Sequence, residues 1–322
     1  MKRKWIQLAI LSLSLGIASA GWADVISWSG GVGNWDVGSN WGGGNEPGAA
    51  DTARINQNGA IVTVDSAGNQ ITSLEVALNA GSIRSSMLID SGGALTISGA
   101  GNNLWIAQQG NASPTGTLTV LGSLNYNGHV QMSTFQNAGT LPNSSLSING
   151  GTAFIDGNLN MTAGGASTGA SATFSLSNGG TISGLNNIFT GNGVNTFNLT
   201  LASTGIDVVN ISSALTLGAG NNILNLDLLP YNVANGATVS LFSFATRSGS
   251  WSSVNINGLG LGSVALGTPS STSFSTGQVE GDFVVAANSI YLDNLVVVPE
   301  PGTLALLGVG LGLIAAQRRR MR

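Results

Sequence analysis

The chain has no cysteine and a single histidine, His129, among its 322 residues. Without thiols there can be no disulfide, no thiolate nucleophile and no cysteine-based zinc site. Charge is scarce as well: Asp, Glu, Lys and Arg make up 7% of the chain, where an ordinary globular protein carries about 25%. Aromatic residues stand at 6%, yet the hydrophobic share of 42% is too high for a disordered chain. Glycine (48 residues), Ser, Thr and Asn fill the gaps between short apolar runs. That texture suits many short strands joined by tight turns.

Basic charge is scarce in the body of the chain. Lys2, Arg3 and Lys4 lie at one end and Arg318, Arg319, Arg320 and Arg322 at the other, with only Arg54, Arg84 and Arg247 between. All fourteen acidic residues fall between Asp24 and Glu300. An acidic body repels a phosphate backbone, which proteins bind through Lys and Arg, so nucleic-acid binding is excluded.

The two ends read as targeting segments. Residues 1–23 combine a basic start, an apolar run from Trp5 to about Ala18 and small residues, the pattern of a secretory signal peptide. Ala18-Ser19-Ala20 and Gly21-Trp22-Ala23 compete as cleavage sites, and Ala23 is preferred because strand-like sequence starts at Asp24. At the other end, Pro301 to Gln317 is free of charge and is followed by Arg318, Arg319 and Arg320. This predicts one short transmembrane helix with a cytoplasmic stop-transfer cluster. The order Pro299-Glu300-Pro301, Gly/Leu/Ala-rich helix, arginine cluster resembles a PEP-CTERM sorting signal over residues 298–322. The resemblance implies recognition by exosortase, a membrane transpeptidase of Gram-negative bacteria that make exopolysaccharide. It also implies transient anchoring in the inner membrane, then release to the cell surface or the extracellular matrix.

Between the ends there is a repeat. Gly93, Gly122, Gly151 and Gly180 are 29 residues apart, and Gly99, Gly128 and Gly157 keep the same period. Strand-like segments lie between them: Leu95/Ile97 and Leu124/Tyr126 alternate with polar residues, whereas Ala153-Phe154-Ile155 breaks the alternation. A period of this length predicts an all-β fold, a right-handed parallel β-helix, with a β-sandwich as the alternative. The periodic glycines are expected at positive φ, where side chains are disfavoured. The β-helix is expected over 24–190. Beyond it the period is lost, and 191–297 is expected either to continue the coils more loosely or to form a second β region, the latter being preferred. Gly258–Thr276, rich in Gly, Ser and Thr, is expected to be a loop.

Trp28, Trp35 and Trp41, followed by Pro47-Gly48 and Asp51-Thr52-Ala53, resemble the start of β-helix passengers in autotransporter-like and PEP-CTERM proteins. These tryptophans have two readings: they stack on sugar rings, or they close the open end of the solenoid.

Chemistry-bearing groups are few. His129 follows a repeat glycine and reads as a turn residue. Glycosidases need two neighbouring carboxylates, but in residues 87–190 only Asp90 and Asp156 are acidic, at different places in the repeat. Gly99-x-Gly101-x-Asn103, Gly191-x-Gly193-x-Asn195 and Gly218-x-Gly220-x-Asn222 echo a calcium-binding repeat with Asn in place of the ligand Asp. Calcium favours carboxylate oxygens, so these read as turn-then-strand motifs. No cofactor, metal or catalytic residue is expected. The expected function is that of an exported, non-catalytic structural or adhesive protein of the bacterial surface or exopolysaccharide matrix. The alternatives are a carbohydrate-binding module and, further off, a β-helix polysaccharide-degrading enzyme.

Overall fold

The computed structural model describes residues 23–78, 83–101, 103–108, 113–133, 141–162, 169–201, 208–228, 234–298 and Gln317. They form a β-solenoid whose strands stack in three rows, one row per side of each coil. The first row is a ten-stranded sheet, parallel along its whole length except for its last strand. The other two rows make a twelve-stranded sheet. In the early coils these two rows are separate strands, Ala94–Ile97 and Leu104–Ile106, then Ser123–Tyr126 and Val130–Met132. In the next coils one long strand, Thr152–Met161 and then Thr181–Thr190, runs round the corner and serves both rows.

Strict alternation drives this arrangement. In Thr115–Val120, Asn143–Asn149 and Ser171–Ser177 every second residue is buried, and each coil lays like upon like. Met87, Leu118, Leu146, Phe174, Phe197, Leu224 and Val254 form one continuous inward column across the first row. A parallel sheet buried on one face and solvated on the other accounts for the Thr, Ser and Asn that alternate with these residues.

The periodic glycines do not sit at positive φ as expected. Gly93, Gly122, Gly151 and Gly180 are absent from the left-handed positions, and their role is steric. A β-carbon on Gly122 would lie 2.2 Å from the carbonyl oxygens of both Asp90 and Gly93; one on Gly151 would lie 2.7 Å from that of Gly122. Each coil rests its backbone on the glycine of the next. The left-handed corner is elsewhere, at Ala77, Ala107, Ser133 and Thr162, with φ of 58°, 52°, 49° and 46°. The last three donate their backbone N–H groups to Val76, Ile106 and Met132 of the preceding coil, and Ala77 donates to Ile55.

The parallel ladder does not stop at residue 190. Val194–Thr200, Asn221–Asp227 and Ser250–Ile256 extend the first row. It closes with a hairpin: Ile256 faces Leu259 across Asn257-Gly258, both at positive φ (48° and 83°), the geometry of a two-residue primed turn. The expectation of a loop over Gly258–Thr276 is therefore corrected, since Leu259–Ala265 and Ser270–Ser275 are strands. A five-stranded sheet, Val209–Asn210, Ala237–Ser243, Ser289–Val297, Val279–Val285 and Ser270–Ser275 in spatial order, completes this end. It shares the core of the solenoid: Trp251 packs edge-on to Phe197, ring centroids 5.0 Å apart, and against Phe242 at 6.1 Å.

Candidate functional site

The chain leaves the described body through Ser289–Val297. This strand lies inside the five-stranded sheet, antiparallel to a neighbour on either side. Ile290, Leu292 and Leu295 are buried, while Val296 and Val297 turn outward. Among the described residues the last hydrogen bond of this strand is from the Val298 N–H to the Gln278 carbonyl, 2.8 Å. Pro299 has no amide to continue the ladder, which is a sequence reason for the strand to end there. The sorting residues Pro299, Glu300 and Pro301, the apolar run behind them, and Arg318, Arg319 and Arg320 lie outside the described residues, as does nearly all of the 1–23 leader. Among the described residues no helix is long and apolar enough to cross a membrane.

The surface beside this exit is anionic and its carboxylates are held in place. Asp282 accepts from the Ser273 hydroxyl (2.6 Å) and from the Asn294 amide (3.0 Å), and these two bonds, the serine first, hold its carboxyl below the usual range. Asp293, its neighbour in register, accepts from Thr238 at 2.5 Å, and Glu280 accepts from Ser275 at 2.9 Å. Hydroxyl and amide donors thus hold these three carboxylates, and among the described residues none of them forms an ion pair.

At the opposite end, Trp28, Trp35 and Trp41 are 4%, 0% and 2% exposed. Trp41 stands edge-on to both others, with ring centroids 5.0 Å from Trp28 and 4.7 Å from Trp35. Its indole N–H donates to the Trp35 carbonyl at 2.7 Å, and that of Trp28 to Gly31 at 3.1 Å. No ring face is open to a sugar, so the stacking role considered for these residues is corrected. They are buried in the first coil, beside the first strands of both large sheets, Val25–Ser27 and Val32–Asn34. Asp51 secures the segment by accepting from the backbone N–H groups of Gly48 (2.8 Å) and Asp24 (3.1 Å).

The lone histidine serves the stack. His129 Nδ1 accepts the Asn158 backbone N–H at 2.9 Å, Asn158 accepts from the Asn187 amide at 2.8 Å, and Asn187 accepts from the Ala214 N–H at 3.0 Å. Asp90 and Asp156 are not brought together. Asp90 follows a first-row strand, Asp156 lies outward on Thr152–Met161, and the coil Thr115–Met132 separates them. Two strand spacings amount to about 10 Å, whereas a glycosidase pair stands about 5 to 9.5 Å apart.

Two of the three calcium-like motifs have a different purpose that the sequence did not disclose. Asn195 and Asn222 are fully buried inside the stack. The Asn222 amide donates to the carbonyls of Gly218 (2.9 Å) and Gly220 (3.2 Å), and its oxygen accepts from Thr190 (2.8 Å) and from the Asn195 amide (3.1 Å). Asn195 in turn accepts from Thr162 at 2.9 Å. The amide nitrogen works as a donor to the turn carbonyls, a task no carboxylate can perform. In each motif a strand begins at once, at Val194 and Asn221. Asn103 is different: it is not fully buried, and its amide donates to Ala100 at 2.7 Å.

Residues 297–320 match the family model of the PEP-CTERM protein-sorting motif. No curated protein and no solved structure matches the chain.

Proposed function

We propose that this chain, an all-β solenoid that carries a PEP-CTERM sorting motif, is an exported, non-catalytic structural or adhesive rod of the bacterial surface or exopolysaccharide matrix. The observation that carries the reading is the sorting motif at 297–320, entered directly from the last strand of a self-contained β body. The motif implies processing by exosortase and a transient stay in the inner membrane. The body is built for reach rather than for chemistry. Its lone histidine bridges two coils, Asp90 and Asp156 stand apart, and its buried amides serve the stack.

The test is on the tail. Mature protein recovered from the native host is expected to lack peptides beyond about residue 301. A variant with Pro299→Ala, Glu300→Ala and Pro301→Ala is expected to stay in the inner-membrane fraction with its tail intact. Mass spectrometry that finds Leu304–Gln317 still attached to mature surface protein would reduce the signal to a plain membrane anchor.

A further inference from the structure

The break in alternation at Ala153-Phe154-Ile155 is a real feature of the surface. Ala153 and Ile155 point inward and Phe154 points outward, where the row otherwise holds Thr96, Asn125 and Ser183. Phe154 is 45% exposed and is the one aromatic ring among the described residues in the exposed class. Scattered exposed aliphatics need no explanation; this ring has a made setting. It lies over Gly184, where a β-carbon would come within 3.0 Å of its edge and where the backbone is left-handed, φ 82°. The strand pairing slips beside it, between Phe154 and Gly157, an irregularity of the kind that re-aims side chains. A shallow groove of about 300 Å³ runs past the ring, lined by Ser123, Asn125, Thr152, Thr181 and Ser183. Unlike the asparagines of the ladders, these five side chains make no hydrogen bond to another described residue.

We infer that this groove binds a neutral polysaccharide chain, one sugar ring lying on Phe154. The negative face of an aromatic ring attracts the weakly positive C–H face of a pyranose. Hydroxyls and an amide, each able both to donate and to accept, are the partners that sugar hydroxyls require. The groove has no charged lining residue, and the nearest charge along the strand is the exposed carboxylate of Asp156. That charge disfavours polyuronates and selects neutral chains. The inference goes beyond the sorted-rod reading, and its failure would leave tail processing untouched.

The experiment is affinity electrophoresis of the full chain in detergent, in native gels containing hydroxyethylcellulose, galactomannan or polygalacturonate. Retardation is expected with at least one neutral polymer and not with polygalacturonate. Phe154→Ala is expected to weaken it about tenfold or more, while Phe154→Trp preserves it. The ring is outside the core, so the thermal transition of Phe154→Ala should stay close to that of the parent. Three outcomes would overturn the inference. They are no retardation by either neutral polymer, equal retardation of the alanine variant, and a loss of self-association in that variant, which would make the ring a contact between copies of the chain.

Discussion

A glycine can be required for two unrelated reasons, and at this scale the molecule separates them. Gly122 is needed because the coil below touches the place where a side chain would begin. Gly122→Val is expected to cost about 1–3 kcal/mol through overpacking, lowering the thermal midpoint by several degrees. Gly267→Val, where nothing lies within 4 Å and φ is not positive, should change it little. Equal effects in differential scanning calorimetry would show that the stacked-glycine column is not under steric pressure. Tyr126 carries a different kind of constraint. Its buried hydroxyl donates to the carbonyl of Gly101 (2.7 Å), lies 3.0 Å from that of His129, and accepts the Asn103 N–H (2.8 Å). Burial raises the phenol above its ordinary value of 10.0, outweighing the hydrogen bonds that oppose the shift. Unfolded tyrosine ionises first, so this contribution to stability is whole below pH of about 10 and is lost as pH rises through the raised folded value. Thermal melts between pH 8 and about 11 should therefore fall less steeply for Tyr126→Phe than for the parent. At neutral pH the same variant should lose about 1–2 kcal/mol, because the Asn103 N–H is left without its partner.

Among the elements, the buried asparagine ladder makes the sharpest claim. Asn222→Asp would place a carboxylate against the carbonyls of Gly218 and Gly220, which accept from the amide it replaces. The expected loss exceeds about 2 kcal/mol. Millimolar calcium should not restore the melting temperature, and a rise on adding calcium would return the Gly-x-Gly-x-Asn motif to the class of metal loops. Much of the element plan was legible in the sequence. The strand rows of the middle coils follow from the 29-residue glycines, because that spacing holds on the second row, where Leu95, Leu124, Ala153 and Ile182 lie side by side. The first row was harder to read: Phe197 follows Phe174 after fewer residues than Leu146 precedes it, since the connecting segments vary in length while the ladder does not. The left-handed corner left no trace, because Ala77 and Ala107 are not the residues one looks for at positive φ. The hairpin at Asn257-Gly258 did carry its turn dipeptide. Leu259–Ala265 nevertheless resembles a loop in composition, since three of its seven residues are glycine or serine.

The whole molecule divides its labour between its ends. The first coil holds the buried tryptophan cluster, and the last coils lead through a hairpin and a five-stranded sheet into the sorting tail. The motif at 297–320 was readable because it is a local address of fixed order, whereas the fate of Trp28, Trp35 and Trp41 depended on the chain that packs over them. Phe154 was visible as an irregularity but not as a surface ring, since a break in alternation does not say which side a side chain takes.

The strand that leads into the tail has a mechanical consequence. Ser289–Val297 is gripped by a neighbour on each side, Ala237–Ser243 and Val279–Val285, and not by one alone. If the mature protein is tethered through its C-terminal end, just past this strand, tension along it must shear two hydrogen-bonded ladders together rather than peel one from an edge. Such a load would spread into the five-stranded sheet and from there, through Phe242, Trp251 and Phe197, into the stacked coils. A solenoid held at that point would resist unravelling from its end, because both ladders must give way at once.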